Sequence, residues 1–398
     1  MNALSQLLRP CSTEDFLQNH WTKRAIAISA KGERRFDDLF SWDTLNHLLN
    51  FHEFRYPNLR LALDEQVLDE RANEKVHHWL QQGATLILDR VHQWIPAIAT
   101  FTSALRYDLG YATQMNAYCS FPGKQGFTCH YDTHEVFILQ IDGCKEWRVL
   151  TDTFKYPLPG QKSSALTPPT DPPYLKCVLQ PGDVLYIPRG HWHYALALDE
   201  PSLHLTLGMH VKTGIDWLEW LIEQCRQQEP WRESLPLRMD KAGIDGTEVN
   251  GAGIQAQIQH LSQMLTQFLA NPDRSQEYVQ YLNTLGKPIS AYALPQQMGF
   301  QVFPNGIATR FRPHPFQHPH ISELSNELGD VIGYQIITSG KEVILKGIPR
   351  TVVEMLFRQE RFTGHDVLEW LPDFDWEIDI VPLLSRLVID GVLIVDAN

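Results

Sequence analysis

Between Gln114 and His210 the chain is cut every few residues by a turn, and this punctuation restricts the architecture more than any other feature of the sequence. Segments rich in Val, Ile, Tyr and Trp are separated by Phe121-Pro122-Gly123, Asp142-Gly143, Pro157-Leu158-Pro159-Gly160, Pro181-Gly182-Asp183 and Arg189-Gly190. Such pieces are too short for helices that bury a face, but they suit strands of about 4–8 residues. The region therefore predicts an antiparallel sandwich or barrel. Leu166–Pro173, with four prolines in eight residues, reads as a surface loop.

The flanks have a different texture, so the chain as a whole predicts a mixed α/β (α+β) protein. Residues 1–115 combine a helix start at Ser12-Thr13-Glu14-Asp15, a short apolar strand at Ala84–Leu88 and a helical pattern over Ile95–Leu109 (Ile98, Phe101, Leu105, Leu109). Residues 212–290 are helical, with Ile215, Trp217, Leu218, Trp220 and Leu221 on one helix and Ile258, Leu261, Met264, Leu265 and Phe268 on another over Ile254–Leu269. Between them, the Gly- and Asp-rich Lys241–Gly253 reads as a mobile linker. The last hundred or so residues predict strands around Tyr334–Leu345, helices at Thr351–Gln359, Gly364–Leu371 and Ile378–Ile389, and a final strand Val392–Val395. That order resembles a winged-helix module. Residues 350–398 hold ten acids against four arginines, which argues for protein contact rather than DNA binding.

Charge and cysteine usage narrow the function classes. The net charge of −13 repels phosphate and argues against nonspecific nucleic-acid or anionic-lipid partners. Cys11, Cys119, Cys129, Cys144, Cys177 and Cys225 are scattered, with neither a disulfide framework nor a clustered zinc site. They read as reduced thiols of a cytoplasmic protein. The opening MNALSQLLRPCSTEDF lacks the apolar core of a signal peptide, and no window reaches the ~18 uninterrupted apolar residues of a membrane span.

The chemistry concentrates at His130-Tyr131-Asp132. On an extended segment, residues two apart share a face, so the imidazole and the carboxylate reach one point. A second imidazole would complete a 2-His-1-carboxylate triad, which leaves three adjacent positions open on Fe(II). Gly182–His193 offers it after a turn, a strand (Val184–Ile187) and an Arg-Gly bend, where alternation puts both His191 and His193 on one face. Periodicity does not choose between them.

Three stretches carry a family resemblance: Asn116–Asp132 (NAYCSFPGKQGFTCHYD), Phe137–Arg148 (FILQIDGCKEWR) and Gly182–His193 (GDVLYIPRGHWH). With the softer matches Phe16, Trp21, Lys23, Arg24 and Ser202-Leu203-His204-Leu205-Thr206, residues 14–210 resemble JmjC-type cupins of the ribosomal oxygenase family. The resemblance implies a double-stranded β-helix (cupin/JmjC) core, a helical dimerisation region and a C-terminal winged-helix-like domain, divided at 1–211, 212–298 and 299–398. It implies an Fe(II)- and 2-oxoglutarate-dependent dioxygenase that uses dioxygen to hydroxylate a side chain of a basic, ribosomal protein or peptide. By the same resemblance His130, Asp132 and His193 hold the metal, because the family ligand stands three residues after the glycine of P-x-G. Lys145 pairs with the far carboxylate of 2-oxoglutarate, and Asn116 and Tyr118 add polar contacts. Gly208 departs from the pattern, since the family often has a serine there.

Plainer readings stand beside these. His134 shares the His130 face but is expected beside the site or facing substrate rather than as a ligand. Lys145 after a DG turn would by default be a solvated hairpin lysine, and Trp147, Tyr186 and Trp192 would be core aromatics. His314, His318 and His320 sit among prolines and read as a loop. Rival functions are N-methyl-lysine demethylation or tRNA base hydroxylation by the same chemistry, or a non-enzymatic cupin scaffold. The apolar helices after residue 212 point to a homodimer.

Overall fold

The computed structural model describes residues 2–33, 35–122, 127–235, 252–284, 292–314, 319–326, 328–338 and 341–396. In the N-terminal part, α1 (Ala3–Leu8) and α2 (Thr13–Asn19) precede β1 (Ile26–Ile28), α3 (Trp42–Phe51), β2 (Leu59–Leu63), β3 (Gln66–Val67), α4 (Val76–Gln81), β4 (Thr85–Leu88) and α5 (Pro96–Leu109). The start read at Ser12 is a true cap: its hydroxyl accepts from the Asp15 amide at 3.1 Å. Pro96 opens α5, where its missing N–H leaves no bond unmade.

The turn-rich region supplies seven strands among the described residues: β5 (Ala112–Ser120), β6 (Glu135–Asp142), β7 (Lys145–Asp152), β8 (Leu175–Leu179), β9 (Val184–Ile187), β10 (His191–Ala197) and β11 (Ser202–His210). They divide between an eight-stranded sheet, β1-β9-β6-β11-β5-β4-β2-β3, and a three-stranded sheet, β10-β7-β8. Every pairing is antiparallel. The central strand β11 runs its full length against β5, from Ser202 opposite Ser120 to His210 opposite Ala112.

β6 is buried almost from end to end because both faces of the large sheet are covered. Phe137, Leu139 and Ile141 point to one core, with Phe16, Leu86, Leu205 and Tyr186. Val136 and Ile138 point to the other, against Trp147, Val149 and Leu179 of the small sheet. α2 delivers Phe16 onto the outer face, where its ring lies 5.6 Å from Phe137 and 4.9 Å from Tyr186. Each such buried side chain contributes about 1.5–3 kcal/mol.

Beyond the strands lie α6 (Gly214–Arg226), α7 (Glu229–Arg232), α8 (Ala252–Ala270) and α9 (Asp273–Thr284). The linker reading falls outside the described residues apart from its last two, which open α8. α6 presents opposite faces: Trp220 packs 5.3 Å from Tyr278 of α9, while Ile215, Leu218 and Ile222 are about half exposed.

The C-terminal part builds its own apolar core around Phe311, Val353, Leu356, Leu384 and Leu387. It comprises β12 (Arg310–Pro313), β13 (His320–Ser325), β14 (Val331–Thr338), β15 (Lys341–Leu345), α10 (Arg350–Arg358), β16 (Phe362–Thr363), α11 (Gly364–Trp370), α12 (Val381–Ile389) and β17 (Leu393–Asp396). The strands form two sheets, β16-β12-β17 and β13-β14-β15. Among the described residues no helix is long and apolar enough to cross a membrane.

Candidate metal centre

His130 and Asp132 lie on the irregular segment just before β6, and His193 lies on β10 of the small sheet. The two segments are tied by a reciprocal backbone pair: the His130 amide donates to the His193 carbonyl at 3.1 Å, and the His193 amide donates back at 2.7 Å. The Gly190 amide adds a bond to the Asp132 carbonyl at 2.9 Å. Here β6 of one sheet and β10 of the other converge, and potential donor atoms of His130, Asp132 and His193 all fall within 4.8 Å of one another. Among the described residues this is the only group of three or more His, Cys, Asp or Glu so disposed.

The imidazoles are oriented for a shared ion. His130 Nδ1 lies 2.8 Å from the Thr128 carbonyl and His193 Nδ1 lies 3.1 Å from the His191 carbonyl. A carbonyl only accepts, so each Nδ1–H donates to it, and Nε2 is the nitrogen left available as a ligand. His193 Nε2 stands 3.6 Å from an Asp132 oxygen. Burial, reinforced by repulsion from His130, pushes the His193 imidazole down to about 4, so it is neutral at pH 7. Burial alone would raise the Asp132 carboxyl, but His134, His130 and His193 outweigh it and hold the group below its ordinary value.

Of the two histidines that alternation offered, the cluster contains His193 and not His191. Between them β10 advances two residues while β7 advances three, with His191 opposite Asp152 and His193 opposite Val149. The extra residue is on β7, so His191 and His193 stay two apart on β10. His191 Nδ1 instead meets the Tyr174 hydroxyl at 2.9 Å, away from the cluster.

The donors open onto a cavity of about 640 Å³ including its mouth, walled by Tyr118, Phe127, Trp147, His204 and Thr206 among others. Lys145 lines the same cavity and is only 7 % exposed. Its ammonium donates to Ser120 Oγ at 2.8 Å, and Ser120 lies 3.1 Å from Thr85 Oγ1. Burial pushes the Lys145 pKa down to about 8. Among the described residues no carboxylate pairs with it. The solvated-hairpin reading of Lys145 therefore does not hold. Tyr118 lines the cavity too, stacked on His204 with ring centroids 4.9 Å apart, and burial pushes its phenol up to about 12. Asn116 is not among the lining residues, and its Oδ1 accepts from the Arg90 amide at 2.9 Å. Tyr186 and Trp192 are fully buried, as expected of core aromatics, whereas Trp147 combines burial with a place on the cavity wall. Of the proline-flanked histidines, His318 lies outside the described residues and His314 is buried.

Two residues that the sequence had already marked take on a role only in the structure. His204 is buried with its Nδ1 unpartnered, and Lys145 adds to burial in holding it well below the ordinary imidazole value. The signal was the polar alternation Ser202, His204, Thr206 along an otherwise apolar strand. The second is Gly208. A Cβ there would sit 2.6 Å from Cδ2 and Nε2 of His134, which in turn stacks on His210 at 5.0 Å. Gly208 thus admits the His134 ring beside β11.

Comparison with known proteins agrees with this geometry. Residues 94–216 match the family described as JmjC domain. The chain is 28 % identical over 277 residues to the "Bifunctional lysine-specific demethylase and histidyl-hydroxylase NO66" of Drosophila persimilis, covering 66 % of this chain and 40 % of the relative. It is 29 % identical over 283 residues to "Ribosomal oxygenase 1" of Gallus gallus, covering 66 % and 47 %. The match thus spans less than half the length of these curated relatives. Among solved structures, Escherichia coli YcfD, described as a ribosomal oxygenase in complex with cobalt and succinic acid, aligns over 98 % of this chain and 99 % of its own. The TM-score is 0.63 at 18 % identity. A second YcfD structure, with cobalt and 2-oxoglutarate, aligns at a TM-score of 0.60. The chain resembles JmjC ribosomal oxygenases and has the JmjC/cupin-type fold with mixed α and β content.

The Gly208 contact yields a test. Gly208→Ser should displace the His134 ring rather than add a useful hydroxyl, with destabilisation of about 1–3 kcal/mol. Denaturant unfolding and the histidine NMR resonances would show it. A variant of unchanged stability and unchanged His134 resonance would overturn the packing argument.

Proposed function

We propose that the chain is an Fe(II)- and 2-oxoglutarate-dependent dioxygenase that hydroxylates an amino-acid side chain of a protein or peptide, with a basic ribosomal protein as its substrate. One observation carries the reading: three mutually facing donors line a single cavity with a buried lysine that pairs with no carboxylate among the described residues. Two imidazoles and a carboxylate suit an Fe(II)-type ion with positions left open. A buried ammonium is stabilised when an anionic ligand enters.

Bound there, Fe(II) and 2-oxoglutarate supply the oxidising chemistry, in which dioxygen is consumed, the keto acid becomes succinate and CO2, and one oxygen atom enters a substrate C–H bond. The chain's own residues hold and shield that chemistry. His130, Asp132 and His193 would be the metal ligands, with their Nδ1–H groups pinned to carbonyls so that Nε2 is presented. Lys145, steadied by Ser120, would pair with the far carboxylate of 2-oxoglutarate, while the Tyr118 hydroxyl and the amide donors of Asn116 add polar contacts. Trp147, Phe127 and the stacked Tyr118–His204 pair restrict water at the reacting centre.

The names of the relatives include both histidyl hydroxylation and lysine demethylation. Mass spectrometry of peptides incubated with the enzyme separates them, by gain of one oxygen or loss of one methyl group. For the remainder of the chain we propose a cytoplasmic homodimer divided at 1–211, 212–298 and 299–398, its last part a winged-helix-like domain that contacts protein rather than nucleic acid. The half-exposed stripe Ile215, Leu218 and Ile222 on α6 supports the dimer.

Three expected outcomes follow from this reading. His130→Ala, Asp132→Ala and His193→Ala should each lose Co(II) binding and 2-oxoglutarate turnover, while His191→Ala retains both. Loss in His191→Ala with retention in His193→Ala would reassign the third ligand. Lys145 carries its charge below about 8 and loses it above. Affinity for N-oxalylglycine on Mn(II)-loaded protein should therefore fall as pH rises through that value, by up to about tenfold per unit. Lys145→Ala should weaken binding by about 10- to 100-fold, and Lys145→Arg should flatten the pH profile. Calorimetry from pH 7 to 9.5 reads both effects, and a flat wild-type profile would remove Lys145 from the site. Light scattering should give twice the 45.8 kDa chain mass. A monomer unchanged by concentration would reject the dimer.

A further inference from the structure

Glu135 is the first residue of β6, three positions after Asp132, and it is completely buried. A buried carboxylate is costly unless it is paired and hydrogen-bonded, so its partners identify what it holds. The Tyr186 hydroxyl donates to Oε2 at 2.6 Å. The backbone amide of Arg189 reaches the same oxygen at 3.4 Å, and the Arg189 Nε lies 3.7 Å from Oε1. All three contacts come from the segment that leads into His193.

Regular pairing of β6 with β9 ends at Val136 opposite Ile187. Beyond it the chain bends through Pro188, Arg189 and Gly190 before β10 begins. Gly190 takes φ +85°, and a Cβ there would meet the Phe154 carbonyl at 2.7 Å and the Pro157 ring at 2.9 Å. The bend is therefore tightly enclosed, and the Glu135 carboxylate grips it through Tyr186 and the Arg189 amide on Oε2, while Oε1 and the Arg189 Nε make no hydrogen bond among the described residues. On one strand the grip sits three residues from Asp132, and on the other four residues from His193. Tyr186 is anchored in turn: its oxygen accepts from the Thr22 amide at 2.8 Å and its ring packs on Phe16 and Phe137. The Arg189 guanidinium lies over Tyr156, 5.5 Å from the ring centre.

We propose that Glu135, through Arg189 and Tyr186, is a positioning residue of the metal centre: it fixes the spacing between the Asp132 segment and the His193 segment where the sheet ladder has stopped. The inference rests on the metal-centre reading above. None of the three side chains is among the proposed ligands, and none belongs to the candidate cluster. They act on the cluster by holding its two halves in register. A partner that orients a ligand typically changes metal affinity by about 10- to 100-fold when removed.

The test uses the full chain and Co(II), with three readouts: the dissociation constant, the visible ligand-field spectrum and the melting temperature of metal-free protein. Glu135→Gln keeps the shape and an acceptor for Tyr186 but loses the charge facing Arg189. It should weaken Co(II) binding by about 10- to 100-fold and alter the spectrum. Arg189→Met should do the same, and Arg189→Lys should recover part of the loss. Because Arg189 stands at the edge of the contact, it reads the same grip if Glu135→Gln fails to fold. Variants that melt earlier but bind Co(II) with wild-type affinity and spectrum would overturn the proposal and leave Glu135 a purely structural group. Wild-type protein that takes up no Co(II) would overturn the metal-centre reading and this inference with it.

Discussion

The site depends on one backbone pairing, the reciprocal hydrogen bonds between His130 and His193. Elsewhere the two sheets are held apart by a layer of apolar side chains. Here a segment feeding the large sheet and a strand of the small sheet come into direct contact. Because both partners of that bridge carry imidazoles, the bridge itself sets their separation. Asp132 is drawn in by the next bond along, from the Gly190 amide, so all three donor groups follow from main-chain geometry rather than side-chain flexibility. A constellation placed by backbone is more rigid than one placed by long side chains on loops.

Rigidity comes from the packing behind the bridge. β6 and β9 alternate their side chains between two cores, so neither strand can slip by one residue without moving its whole apolar set to the wrong side. Phe16 of α2 seals the outer face against Phe137 and Tyr186, and Tyr186 carries that constraint to Glu135. The cavity is where the fold accepts unfavourable terms. Lys145, His193 and His204 all lose charge stability on burial, and His204 leaves a nitrogen unpartnered. Local rules broken together in one cavity, while the surroundings obey them, mark a site shaped for a ligand rather than for stability.

Much of this was legible from residue order. Turn residues marked off the strands of the region from Gln114 to His210, the Ser12 cap and the apolar spacing of Ile95–Leu109 located helices, and His-x-Asp with a distant histidine indicated the donor set. Resemblance singled out Lys145, which local pattern would have left in solvent. Alternation of Ser202, His204 and Thr206 was also in view, although its meaning required knowing which face of β11 lines the cavity. Asn116, which the resemblance also singled out, is not among the residues that line the cavity, and its side-chain oxygen accepts from the Arg90 amide.

By itself the sequence determined which segments are strands and helices, and which residue types could bind a metal, because those properties follow from local periodicity, turn chemistry and side-chain donors. Only the tertiary structure separated His191 from His193, since His193 joins the donor cluster while His191 meets the Tyr174 hydroxyl, and neither contact can be seen on β10 alone. Likewise Gly208 reads as a missing hydroxyl until the His134 ring is seen against it, and Glu135 reads as an ordinary strand-end acid until Arg189 and Tyr186 close on it. The Gly208 and Glu135 contacts join residues 51 to 74 positions apart. Local pattern encodes each partner, and only packing brings the partners together.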